Sequence, residues 1–250
     1  MMTTRRVVVW FSCGIASAVA AHLALEKYGK DVVDVVYCDT MSDEHPDNQR
    51  FFTDCEQWLG VLIKRIKSDR FAGIDEVFTA RSYMSGIAGA PCTVELKKIP
   101  RFAFQRPDDI HIFGYTADET SRIKRFKEQN PELKTDWILL ENNMSKDMCL
   151  MFAGSAGIDI PAMYKLGYRN NNCIGCVKAT SAKYWNSIRK DFPEVFKQRV
   201  ERSRAVGARL TRVKGKRVFL DELPPSYLSG GLENISCGPD CSVELTPSLN

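Results

Sequence analysis

Nine cysteines in 250 residues are the side chains of this sequence with the most chemistry to offer. Cys92 stands alone, Cys173 and Cys176 form a C-x-x-C, and Cys237 and Cys241 form a C-x-x-x-C in a tail punctuated by Gly and Pro. Three chemistries fit this set. They are an iron–sulfur cluster, a closed tetrahedral zinc site made from Cys92, Cys173, Cys176 and one tail cysteine, and a redox-active dithiol at Cys173/Cys176. An odd count spread along a long chain argues against a secreted disulfide framework and for a reducing cytoplasm. Cys38, Cys55 and Cys149 sit in apolar surroundings and are expected in the core. Cys13 differs, because a thiol in an anion-binding turn would have a lowered pKa and could react.

That turn is "SCGIAS", Ser12–Ser17, after the apolar run "RVVVWF". Small residues let a backbone approach an anion closely, and a helix N-terminus presents free N–H groups to it. No Gly-Lys-Ser/Thr follows, so it is not a Walker loop, and it is not a G-x-G-x-x-G turn. The twin arginine and apolar run imitate a secretion signal, but Ser12, Cys13, Gly14 and Ser17 interrupt the apolar stretch such a signal needs. Asp39 and Thr40 close a second strand at the edge where open α/β sheets bind ligands. Glu119, Arg122 and Arg125 follow a later strand, with Arg122 suited to an anion and Lys98 as a helper. His22 and His111 read as structural, whereas His45 falls in a loop at the ligand edge.

Net charge is only +4, yet Lys183–Arg217 carries twelve Lys or Arg against three acidic residues. This is either a solvated helical face or a surface for a polyanion such as tRNA or DNA. No apolar run reaches membrane-spanning length, so no membrane partner is expected.

The elements that must position these groups alternate. Arg6–Phe11, Val32–Cys38, Val61–Ile66, Ile110–Tyr115 and Trp137–Glu141 read as buried strands. Ile15–Tyr28, Asn48–Leu59, Thr93–Gln105 and Asp118–Gln129 read as helices, the first two stopped by Gly29 and Gly60. The pattern predicts an α/β fold, an open and mostly parallel five-stranded sheet with helices on both faces. The predicted division is an α/β core over residues 1–142 and a Cys-bearing helical region with a tail over 143–250, strands stopping near Ser145. No internal repeat is present.

Several stretches, in fixed order, resemble the PAPS-reductase-like family of the adenine nucleotide alpha-hydrolase (PP-loop) superfamily. "FSCGIAS" resembles its pyrophosphate-binding loop, "VVYCDTMSDEHPDNQRFFTDCEQWLG" its adenosine-reading segment, and "FGYTADETSRIKRF" its anion-contacting loop. "CTVELKKIP" and "NNNCIGCVK" resemble its cluster-cysteine segments, with 80 residues between Cys92 and Cys173, and "SCGPDC" its catalytic Cys-Gly tail. The resemblance implies nucleotide contacts from Ser12, Cys13, Gly14, Ser17, Asp39, Thr40, Gly114, Glu119 and Arg122. It also implies a 4Fe-4S cluster on Cys92, Cys173 and Cys176, with a tail cysteine, Cys241, as fourth ligand. Cys237 and Arg122 would be catalytic. The implied reaction is reduction of an adenylyl sulfate with an external thiol as reductant. A rival within the superfamily is ATP-driven sulfur insertion into tRNA or DNA. A third reading is nucleotide binding without turnover. Departures from the pattern are Cys13 for the loop's first Gly, Ala16 for an acidic residue that helps hold Mg2+, and Thr116 for an Arg. Enzymes of this size and fold often form homodimers, but no interface signature is visible.

Overall fold

The computed structural model describes residues 5–86, 89–233, 235 and 237. Five strands, β1 (Val7–Phe11), β2 (Val33–Cys38), β3 (Lys64–Ile66), β4 (Ile110–Phe113) and β5 (Lys134–Asp136), form one sheet in the order β3-β2-β1-β4-β5. Every neighbouring pair is parallel. The open parallel α/β fold predicted from the alternation is the fold observed. Helices α1 (Ile15–Tyr28), α2 (Asn48–Leu59) and α3 (Ile74–Arg81) precede a composite segment. That segment runs α4 (Pro91–Thr93), a π-helical turn over Val94–Lys98, and α5 (Ile99–Phe104). After β4 come α6 (Thr120–Gln129), α7 (Ile138–Glu141), α8 (Lys146–Ser155), α9 (Ala162–Lys165), α10 (Ala182–Asp191) and α11 (Pro193–Ala205).

The central strand explains the apolar run that opens the chain. Every residue of "VVVWF" is buried because β1 is covered on both faces. Val7, Val9 and Phe11 meet Ile15, Ala18 and Phe51 on one face, where Cys55 and Cys149 also lie. Val8 and Trp10 meet Phe113, Ile123, Phe126 and Trp137 on the other, with Cys38 among them. All three core cysteines are buried as expected. A second core draws together Ile74, Phe78, Leu96, Met163, Trp185 and Leu220. The cores therefore do not follow chain order: α8 packs on the sheet, while α3 and Leu96 pack with the C-terminal helices.

Four sequence expectations are corrected. The fifth strand is Lys134–Asp136, not Trp137–Glu141. An edge strand needs only the three residues that pair with Ile110–Ile112, and the apolar run after it turns into α7 to cover the sheet. The third strand is only Lys64–Ile66, with Leu62 exposed. The segment predicted as one helix over Thr93–Gln105 is broken by the π-helical turn. Strands do not stop at Ser145: β6 (Thr211–Val213) and β7 (Lys216–Val218) form an antiparallel hairpin.

His22 is structural, stacked on Trp58 with ring centroids 4.6 Å apart. His111 is buried beside Trp10, whose indole Nε1 donates to His111 Nδ1 at 3.0 Å. Burial pushes the imidazole down to about 4, so it folds neutral. The unfolded imidazole takes up its proton near pH 6.5, so this contribution to stability is complete above pH 6.5 and is lost as pH falls toward 4. Urea titrations from pH 7 to 4 should show His111→Gln losing less stability than the wild type across that interval.

Candidate active site

The turn after β1 is organised by one hydroxyl. Ser17 Oγ accepts from Ser12 N at 3.0 Å and from Ser12 Oγ at 3.1 Å, and donates to Gly14 O at 2.8 Å. Cys13 sits between them at φ 55°, a left-handed conformation that costs a non-glycine residue energy. A buried polar relay holds it there. Thr40 Oγ1 and Asn48 Nδ2 each donate to Glu44 at 2.7 Å, and Asn171 Nδ2 donates to Asn48 Oδ1 at 2.8 Å and to Cys13 O at 2.6 Å. Gly14 caps α1, whose first turn carries no acidic residue, so nothing on the helix itself opposes the positive end of its dipole.

Gly114, at the end of β4, lies against this helix start. A Cβ there would stand 2.7 Å from Ser17 N and 2.8 Å from Ser17 Cα. Gly114, expected as a nucleotide contact, is here the residue whose missing side chain lets β4 and the start of α1 approach so closely. Beyond it, Thr116 N and Oγ1 donate to Glu119 Oε2 at 3.0 and 3.1 Å, a capping box. Glu119 Oε1 accepts from Arg122 Nη1 at 2.6 Å, and the guanidinium lies over the Tyr115 ring at 4.0 Å. Glu119 thus aims Arg122, and Thr116 is a helix cap.

These groups line a cavity of about 590 Å³. Its walls include Ser12, Gly14, Ser17, Gly114 and Arg122, together with Lys146, Tyr164, Arg169 and Cys237. Cys237 arrives by a strap. Thr180 N and Ser181 N donate to the Glu233 carboxylate at 2.7 and 3.0 Å, and Thr180 Oγ1 donates to it at 2.8 Å. Ile235 N donates to Asn170 Oδ1 and Ile235 O accepts from Asn172 Nδ2, both at 2.8 Å. Lys97 Nζ then donates to Cys237 O at 2.9 Å.

At that end of the cavity Cys237 pairs with Cys176, and Cys92 and Cys173 lie near enough to feel its charge. Cys176 donates to the Cys237 sulfur, and with Lys97 and Lys178 this holds Cys237 well below the ordinary thiol range despite burial. Donation to Cys237 and burial push Cys176 well up. Burial, with Cys237 nearby, pushes Cys92 up to about 12, and burial likewise raises Cys173 against the pull of Lys97. Desolvation opposes the charge on Lys97, but Cys237, Cys173, Glu44 and Cys38 outweigh it and leave its pKa above the ordinary value. Thr93 Oγ1 lies 3.9 Å from Cys237 Sγ. The described cysteines form no disulfide. As the side chains stand, no group of three or more His, Cys, Asp or Glu among the described residues is arranged to hold a metal ion.

Several expected site residues lie elsewhere. Asp39 does not line the cavity: it accepts from Met41 N at 3.1 Å and faces Lys67 at 3.3 Å. Thr40 is tied to Glu44. The Cys13 side chain is buried against Asn48 O, and burial pushes its thiol well above the ordinary range, so the expected low pKa is wrong. Lys98 and Arg125 do not line the cavity. His45 does not line the cavity: it accepts from Asp47 N at 3.1 Å and packs edge-on against Phe192, ring centroids 5.7 Å apart. Cys241 lies outside the described residues. The sequence reading missed Lys97, Lys146, Tyr164 and Asn171. The signal for Lys97 and Asn171 is their place beside Cys92 and Cys173; Lys146 and Tyr164 carry none.

The basic stretch divides. Arg199 is buried against Asp75 and Gly175 O, Arg189 donates to Leu220 O and Leu223 O, and Arg204 pairs with Asp221 and Glu222. The β6–β7 hairpin instead exposes Arg212, Lys214, Lys216 and Arg217. Among the described residues no helix is long and apolar enough to cross a membrane. A scan against models of known protein families finds no match, and neither does a search of curated proteins.

Gly114→Ala should separate β4 from the start of α1. It should cost about 1–3 kcal/mol in urea unfolding and weaken anion binding at the loop at least tenfold by calorimetry.

Proposed function

We propose that this chain binds an adenine nucleotide with its anionic end at Ser12–Ser17 and carries out sulfur chemistry at the Cys237 end of the same cavity. The best-fitting reaction is thiol-dependent reduction of an adenylyl sulfate. One observation carries this reading: Cys237 and the phosphate loop line a single cavity. In the reaction the Cys237 thiolate attacks the sulfate sulfur. An S–S bond forms, the S–O bond to phosphate breaks, and its electron pair leaves with the nucleotide. The amides at the start of α1 and the Arg122 guanidinium stabilise the charge gathering on that phosphate. An external thiol then attacks Cys237 Sγ and expels sulfite with the S–S electron pair. A second thiol reduces the mixed disulfide and restores Cys237. Asp39 and Thr40 take no part in this reading.

With the 5′-adenylyl sulfate, with or without a 3′-phosphate, and a dithiol, the protein should release sulfite and nucleotide in equal amounts. Cys237→Ser should lower sulfite release at least a thousandfold while nucleotide affinity stays within about twofold. Undiminished release by that variant would rule the reading out.

A second reading draws on the meeting of four cysteines. The donor chemistry suits an iron–sulfur cluster, since thiolates are its usual ligands and four its usual number. Cys92, Cys173, Cys176 and Cys237 would hold it, and it would supply the sulfur transferred in ATP-driven insertion into nucleic acid. Cys237 would then be a ligand rather than a nucleophile, and the exposed hairpin arginines and lysines would face the acceptor. Anaerobic purification with metal and sulfide analysis separates the readings. About four iron and four sulfide per chain, lost on Cys173→Ala but kept in Cys237→Ser, would leave Cys237 the nucleophile of the first reading, whereas loss in both variants would favour insertion. One zinc and no iron would make the cysteines a structural staple, and a metal-free protein would leave Cys237 free to attack.

A further inference from the structure

The turn Ser12–Ser17 contains no lysine or arginine, and the first turn of α1 contains no charged residue. A cation reaches it from another element of the cavity wall, α8. Lys146 opens α8, directly after the capping Ser145, whose Oγ accepts from Met148 N at 3.2 Å. Lys146 Nζ lies 3.2 Å from Arg169 O and 3.5 Å from Tyr164 OH, and 5.0 Å from the centre of the Tyr164 ring. Tyr164 OH in turn accepts from Ile15 N at 3.5 Å and would stand 3.3 Å from a Cβ on Gly14. One hydroxyl therefore separates the ammonium from the first amide of α1.

Everything holding Lys146 is neutral. A carbonyl, a hydroxyl and a ring face fix its direction, and its carboxylate company is confined to the cavity lining, where Asp118 and Asp147 also stand. Arg122 approaches differently, from the Tyr115 side beyond Gly114, which abuts Ala16 and Ser17, and its charge is partly met by Glu119. Lys146 thus meets the loop at Gly14–Ile15 by way of Tyr164, while Arg122, held by Glu119 and Tyr115, lines the same cavity from another element. One phosphate on the loop engages one of them well. Two linked anionic groups engage both, because each then faces its own cation.

Resting on the nucleotide reading of this cavity, we propose that Lys146 is the lysine of the phosphate site, supplied by α8 instead of the loop. It selects a nucleotide carrying two adjacent anionic groups, a pyrophosphate or a phosphosulfate, over a nucleoside monophosphate. Tyr164 is its positioning residue.

Calorimetry of the full chain with AMP, ADP and inorganic pyrophosphate tests this. The wild type should bind ADP about tenfold more tightly than AMP, a difference of about 1.4 kcal/mol. Lys146→Met should weaken ADP and pyrophosphate about tenfold and leave AMP within about twofold, so that the preference disappears, and Lys146→Arg should restore most of it. Equal losses for AMP and ADP would assign Lys146 a structural role and overturn the proposal, as would an unchanged preference. A wild type that binds none of the three probes removes the nucleotide reading itself, and this inference with it.

Discussion

The constraint on which the site depends is the contact between two backbones, the end of β4 and the start of α1. Ser17 can stand against residue 114 only because that residue has no side chain. With the two elements in contact, the groups after β4 and the amides that open α1 share one wall of the cavity. Parallel strands β1 and β4 set this up by ending side by side, Trp10 opposite Phe113. The cavity therefore opens where β1 and β4 end, the edge at which open α/β sheets commonly bind ligands.

A second layer of support explains an oddity of the turn. Its sharpest residue is a cysteine at φ 55°, where a glycine would be relaxed. The chain Thr40–Glu44–Asn48–Asn171 supplies the hydrogen bonds that over-determine this conformation, and the thiol fills a dry space beneath it. Asp39 and Thr40, at the end of β2, therefore matter as scaffold. Glu44 is also near Lys97, so the same carboxylate links the anion turn to the cysteine end of the cavity.

What the sequence revealed follows from how each signal arises. The central strands and α1 and α2 are long, apolar or periodic, and both helices end at glycines with φ 85° and 62°, so their limits could be read directly. The edge strand "KTD" is short and polar and looks like a loop. The hairpin turns at Lys214–Gly215, both at positive φ, but basic strands replaced the apolar alternation that announces a hairpin. The loop, Gly114, Arg122 and three cysteines were legible because motifs are local. Lys146 and Tyr164 were not, since Tyr164 reaches Ile15 across 149 positions and no local pattern encodes such a contact. A tail cysteine beside Cys173 and Cys176 was legible from the cysteine pattern, but the hydrogen bonds of Glu233 and Ile235 that bring Cys237 there were not.

The strap gives the molecule an order of events. Synthesis runs from the N-terminus, and compact units form as they emerge. The sheet, the anion turn, Arg122 and three of the four converging cysteines are all made before Glu233 can clasp Thr180 and Ser181. Cys237 therefore joins the cavity only after the groups from β1, α1 and β4 that line it have been made. A copy clipped before Glu233 would keep the sheet and the turn after β1 but lose Cys237 and the carbonyl that Lys97 holds.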